Sequence, residues 1–207
     1  MADQPTTLSD QVRQMTHGVL TPIARLAHQA GIHPDTITII GTLLVGIAAL
    51  AIISEHLLVA GVIVLIGLPL DALDGAVARL RGPHRPFGAF FDSTLDRYAD
   101  GMLFGALAIY GSQTGSDMIL GLAIITMIGA FLISYTRARA EGLGLDCKIG
   151  LLSRFERTVI LLALLFTGWV HIGLWVLAIG THFTALQRIW YVHGLTQAPA
   201  VSSSDSS

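Results

Sequence analysis

Residues 57–96 read LLVAGVIVLIGLPLDALDGAVARLRGPHRPFGAFFDSTLD, and the way this stretch folds decides the rest. Its first fourteen positions, 57–70, are apolar and run into Asp71 with no loop signal other than Pro69. Residues 57–80 therefore read as one helix, polar on one face over its final third, with Gly67 and Pro69 as places for a kink. A basic linker, 81–86, follows. Residues 87–110 then give a second helix of opposite sense, polar first and apolar later. Between them the two helices carry Asp71, Asp74, Asp92 and Asp96. A carboxylate at membrane depth costs roughly 2.5–3.5 kcal/mol on insertion scales, so four together require a physical reason.

Composition supports the membrane setting. The 207 residues are 53% hydrophobic and 13% charged, whereas soluble domains carry about 25% charged residues. A polytopic membrane protein follows, and the formal net charge of −2 matters less than where the charges fall. Cys147 is the single cysteine, which excludes an intrachain disulfide and a zinc-type Cys/His set. No signal peptide is expected, because residues 1–33 lack an apolar core beside a small-residue cleavage site.

Outward from the opening stretch, residues 36–54 form 19 uncharged positions, enough to span about 30 Å at about 1.5 Å per residue. Residues 118–135 form a fourth span that can continue as helix to about 141. Residues 142–153 read as a loop, and 154–170 and 172–191 as spans five and six, parted near 168–173. Before the first span, residues 11–30 place apolar side chains at mostly helical spacing, interrupted by Pro22. This suits an amphipathic helix at the membrane surface or, equally, a helix packed on the bundle. The expectation is an all-α integral membrane protein of six transmembrane helices preceded by an amphipathic interfacial helix. Residues 1–34 would hold the N-terminal tail and that helix, 35–193 the catalytic domain, and 194–207 a disordered Ser-rich tail. All 12 basic residues fall in the termini or near the 2–3 and 4–5 connections, none in the 1–2, 3–4 or 5–6 turns. The positive-inside rule then puts both termini, and the aspartates with them, on the cytoplasmic side of the cell membrane.

Asp71 and Asp74 lie three apart, Asp92 and Asp96 four apart, so each pair projects from one helix face. Antiparallel neighbours joined by a short linker would bring the pairs together. Four converging carboxylates repel unless cations bind, and oxygen-only ligands point to Mg²⁺ or Mn²⁺, with room for two ions. Gly75, Ala78 and Gly88 share the register of the aspartates and leave space for a nucleotide or diphosphate. Gly101 and Gly105 read instead as close helix packing.

The pattern D-x-x-D-G-x-x-A-R followed by G-x-x-x-D-x-x-x-D, met by Asp71, Asp74, Gly75, Ala78, Arg79, Gly88, Asp92 and Asp96, resembles the signature of the CDP-alcohol phosphotransferases. The resemblance runs over nearly the whole chain, that family also having six spans and an amphipathic N-terminal helix. It implies attack of an alcohol hydroxyl on a CDP-activated lipid, with CMP leaving. By that likeness Asp71, Asp74 and Asp92 hold the metals, and Asp96 joins them and deprotonates the acceptor. Asp74, Gly75, Ala78, Arg79 and Gly88 would receive the CDP-lipid. A homodimer is implied too, and no nucleic-acid partner.

A second set of residues bears on the acceptor. Residues 134–141 (SYTRARAE), 154–157 (RFER) and 187–188 (QR), with 87–88 and 96–101 (DRYADG), resemble the branch of the family formed by prokaryotic phosphatidylinositol phosphate synthases. Carried over, Arg137, Arg154, Arg157 and Arg188 would hold the phosphate of inositol phosphate, a task suited to guanidinium groups. Arg137 stands where lysine is common, Phe155 where proline is common, and Asp35 where asparagine is common. The plainer account of these arginines is anchoring at the headgroups. Glycerol 3-phosphate and free inositol are the alternative acceptors. From another class, a divalent-cation transporter is the rival, although the far half of each span lacks ionisable residues to complete a route. Asp100 reads as a structural partner of a nearby arginine, His171 and His182 as interhelical hydrogen-bonding groups, and Trp169, Trp175, Trp190 and Tyr191 as interfacial aromatics.

Overall fold

The computed structural model describes residues 21–82 and 86–197. The expected loose N-terminus, the first half of the amphipathic helix and residues 198–207 of the expected tail lie outside the described residues, whereas residues 194–197, expected to be disordered, continue the last helix. Among those described, the fold is all-helical: α1 (21–29), α2 (Pro34–Ile53), α3 (Leu57–Leu80), α4 (Pro86–Gln113), α5 (Asp117–Glu141), α6 (Arg154–Thr167) and α7 (Val170–Gln197). Four of these helices, α2, α3, α5 and α7, are long and apolar enough to cross a membrane. The chain is thus a multi-pass membrane protein. Of the two other expected spans, α4 is interrupted by charge at Asp92, Asp96, Arg97 and Asp100, and α6 has 14 residues, about 21 Å of helix.

The ends of the helices follow local chemistry. Pro34 opens α2 at a position where its missing N–H costs nothing. Ser116 caps α5 by accepting from the Ile119 N–H at 3.3 Å. Helix α3 runs unbroken through Pro69, with the Leu65 carbonyl deprived of its usual donor. Two boundaries differ from expectation. Gly111, just past the expected helix end at 110, stays inside α4: a Cβ there would lie 2.5 Å from the Leu120 nitrogen, so glycine is needed for the close approach of α5. The break between α6 and α7 is confined to Gly168 and Trp169, because Gly168 takes a left-handed conformation that ends α6 at once.

The six long helices close into a circuit. Helix α2 packs against α3 and α4, α4 against α5, α5 against α7, α7 against α6, and α6 back against α3. Small residues line the seams, with Ala48, Ala49, Ala60, Ala123, Ala130 and Ala178 buried. Large apolar ones such as Leu43, Leu50, Ile66 and Ile179 face outward, the distribution of a bundle solvated by lipid. Gly101 fits the close-packing reading, a Cβ there meeting the Phe131 ring at 3.4 Å, but Gly105 meets nothing within 4 Å. His182 does not bond between helices as expected. Its Nδ1 lies 3.0 Å from the Ala178 carbonyl of its own helix, because α5 presents only Gly129 there.

Candidate active site

Helices α3 and α4 do not pack side by side as the short linker suggested; α2 lies against both. The space left between them is a cleft of about 900 Å³ whose wall includes Thr38, Asp71, Asp74, Gly75, Arg79, Asp96, Arg137 and Arg154.

Three of the four aspartates converge. Oxygens of Asp71, Asp92 and Asp96 lie within 4.8 Å of one another, the one such group of potential metal ligands among the described residues. A trio of hard oxygen donors at this spacing fits Mg²⁺ or Mn²⁺. Asp74 belongs to the same face but is turned toward α2. It is 6% exposed and accepts a 2.7 Å hydrogen bond from the Thr38 hydroxyl. Gly75 borders open space, with only the Arg79 guanidinium, 3.6 Å away, near a Cβ built there. Ala78 and Gly88 are half-buried and Arg79 is exposed.

The arginines divide into two kinds. Arg154, at the first turn of α6, reaches across to place its NH1 2.6 Å from Asp71 Oδ1 and 2.5 Å from Asp96 Oδ1. Arg137 lies on the cleft wall, half-exposed, and pairs with Glu141 at 2.8 Å. Arg157 and Arg188 are not on that wall. Arg157 is 4% exposed and donates to Asp100 at 2.9 Å, the arginine pairing expected of Asp100. Arg188, also buried, donates through Nε to the Ile149 carbonyl at 2.9 Å and through NH1 to the Ile133 carbonyl.

Several residues here escaped the sequence reading. Arg97 bonds Ser134 of α5 at 2.7 Å, and Arg81 ties the end of α3 to the carbonyls of Gly31 and Ile32 at 3.1 and 3.2 Å. Thr184 and Gln187 of α7 accept from the Leu152 and Leu151 N–H groups, pinning the 142–153 loop beside the cleft. Cys147, in the same loop, is buried, and burial pushes its thiol up. The one available signal was Thr38 and Thr42, hydroxyls four apart on one face of an otherwise apolar span.

The family model for CDP-alcohol phosphatidyltransferase matches residues 31–186, and the chain belongs to that family. Among its relatives, the phosphatidylinositol phosphate synthase of Mycobacteroides abscessus is 39% identical over 190 residues, covering 87% of this chain and 85% of that protein. The archaetidylinositol phosphate synthase of Pyrococcus horikoshii is 34% identical over 181 residues, covering 87% and 94%. The crystal structure of Mycobacterium tuberculosis phosphatidylinositol phosphate synthase with CDP-DAG bound superposes with a TM-score of 0.79 at 30% identity, covering 91% of this chain and 98% of that one. The same enzyme in complex with manganese and citrate gives 0.78 at 31% identity, covering 91% and 93%.

Proposed function

We propose that this protein transfers the phosphatidyl group of CDP-diacylglycerol to a hydroxyl of inositol phosphate and releases CMP. The observation that carries the reading is one cleft whose wall brings Asp71, Asp74 and Asp96 together with Arg79, Arg137 and Arg154, with Asp92 close beside Asp71 and Asp96. One wall suits a metal-bound diphosphate and the other an acceptor phosphate. The names of the relatives, and the CDP-DAG and manganese in the M. tuberculosis structures, point the same way.

In this reading Asp71, Asp74, Asp92 and Asp96 hold two divalent ions. Bound there, the ions would neutralise the diphosphate and the departing CMP. Asp74, Gly75, Ala78, Arg79 and Gly88 receive the CDP-lipid, the open space at Gly75 letting the nucleotide approach the backbone. Asp96 takes the proton of the attacking hydroxyl as general base. Arg137 and Arg154 meet the acceptor phosphate through paired N–H donors. Arg157 and Arg188 complete the basic set behind them.

The finer architecture belongs to the same proposal. Helices α4 and α6, held between the apolar helices, complete six spans; α1 lies at the cytoplasmic interface; and both termini and the cleft face the cytoplasm as a homodimer of one-domain subunits. The deciding assay measures CMP release from CDP-diacylglycerol with Mg²⁺ or Mn²⁺, comparing inositol phosphate, glycerol 3-phosphate and free inositol. Preference for either of the last two would overturn the acceptor. Manganese flux in proteoliposomes without CDP-lipid would favour the transporter.

A further inference from the structure

We infer that Thr38 is a positioning residue for this reaction: its hydroxyl, donated across the α2–α3 seam to Asp74 Oδ2, fixes the rotamer of that carboxylate beside the Asp71–Asp92–Asp96 group and leaves its other oxygen for a metal ion. The inference rests on Asp74 being a metal ligand. Thr38 has one proton to give and two oxygens in reach, Asp74 Oδ2 at 2.7 Å and the Pro34 carbonyl at 3.1 Å. The carboxylate oxygen, the nearer of the two, takes it, since a carboxylate is a stronger acceptor than a backbone carbonyl that already serves its own helix. The seam around the pair is rigid. Ile37, beside Thr38, and Val77, three beyond Asp74, are buried together with Ala24 of α1, so the hydroxyl is presented from a packed backbone. The next hydroxyl on the same face, Thr42, turns instead to the Thr38 carbonyl at 2.9 Å and cannot substitute.

Asp74 differs from its neighbours in how it is held. Arg154 bridges Asp71 and Asp96, whereas Asp74 accepts from the Thr38 hydroxyl and the Gly75 N–H, both neutral donors. Neutral donors orient a carboxylate without competing for a cation. Groups in this position tune metal affinity, and their loss typically weakens binding about 10–100-fold.

The test is Mn²⁺ binding to the full-length protein in detergent, read from the free-Mn²⁺ resonance, alongside turnover. Thr38→Val, isosteric but without a donor, is expected to weaken Mn²⁺ about ten-fold, while Thr38→Ser stays within about two-fold of the parent. Turnover of Thr38→Val should recover at high Mn²⁺ with the acceptor KM unchanged, which a general packing defect would not allow. Wild-type affinity in Thr38→Val, or equal loss in Thr38→Ser, overturns the inference. If Thr38→Val does not fold, Thr38→Ala is compared in the parent and Asp74→Asn backgrounds, where loss in the first and none in the second is expected and equal losses overturn it. An Asp74→Asn protein that keeps full Mn²⁺ affinity would remove the metal role of Asp74 and Thr38 with it. Loss in Asp74→Asn without loss in Thr38→Val would remove Thr38 alone.

Discussion

The aspartates of α3 and α4 and the arginines of α5–α7 are two sets of charges around one cleft, and they are held in opposite ways. Three of the aspartates present oxygens to a common point, with Arg154 bridging two of them, while Thr38 holds the fourth, Asp74. The arginines share no such point. Two line the cleft, while Arg157 is spent on the cleft-lining Asp100 and Arg188 on backbone carbonyls. A charge set that binds a cation must converge, whereas guanidinium groups with spare donors can be spent on holding the bundle together. The same residue type therefore serves two purposes around one cleft.

Substitutions can break or sharpen this division. The largest effect is expected at Asp96: Asp96→Asn should lower kcat by about 10²–10⁴, the usual contribution of a general base, with Mn²⁺ still bound. Near-normal turnover would show that the convergence serves metal binding alone. Next comes Arg157→Ala, which leaves the partly buried Asp100 without its partner and should cost about 3 kcal/mol, the low end for a buried pair, read as a fall in thermal stability in detergent. If stability held and only the acceptor KM rose, Arg157 would belong with the ligands and the division would fail. Arg154→Ala should raise the acceptor KM about ten-fold, the loss of roughly one charge-assisted hydrogen bond, and leave the KM for CDP-lipid nearly unchanged. Because its guanidinium also sits on Asp71 and Asp96, the same variant should bind Mn²⁺ no more weakly than the parent. The smallest change is expected in the stability of Arg137→Ala, whose exposed i,i+4 pair with Glu141 contributes about 0.3–0.5 kcal/mol.

How much of this was legible follows the same division. The bounds of α3, 57–80, could be read from an apolar run that grades into a polar face, and the aspartate pairs from spacings of three and four within single helices. Those are local signals, written within a few turns of chain. The arginines carried no comparable signal, since residues 137, 154, 157 and 188 lie on three helices and nothing in their spacing distinguishes a cleft wall from a buried seam. The Thr38 hydroxyl could be noticed on an apolar span, but its partner could not be read for the same reason, lying 36 positions away.

The amino-acid sequence by itself determined that this is a helical membrane protein with a carboxylate-rich site of its family's type, because periodicity, apolar length and motif spacing act over short distances along the chain. Only the tertiary structure decided that α3 and α4 stand apart around a cleft, that Asp74 turns to Thr38, and that Arg157 and Arg188 are committed to the bundle. Each of these outcomes depends on which helix lies against which. That choice is made by side-chain volume at the seams, where Gly111, Gly129 and the buried alanines let backbones approach, and no local pattern records it.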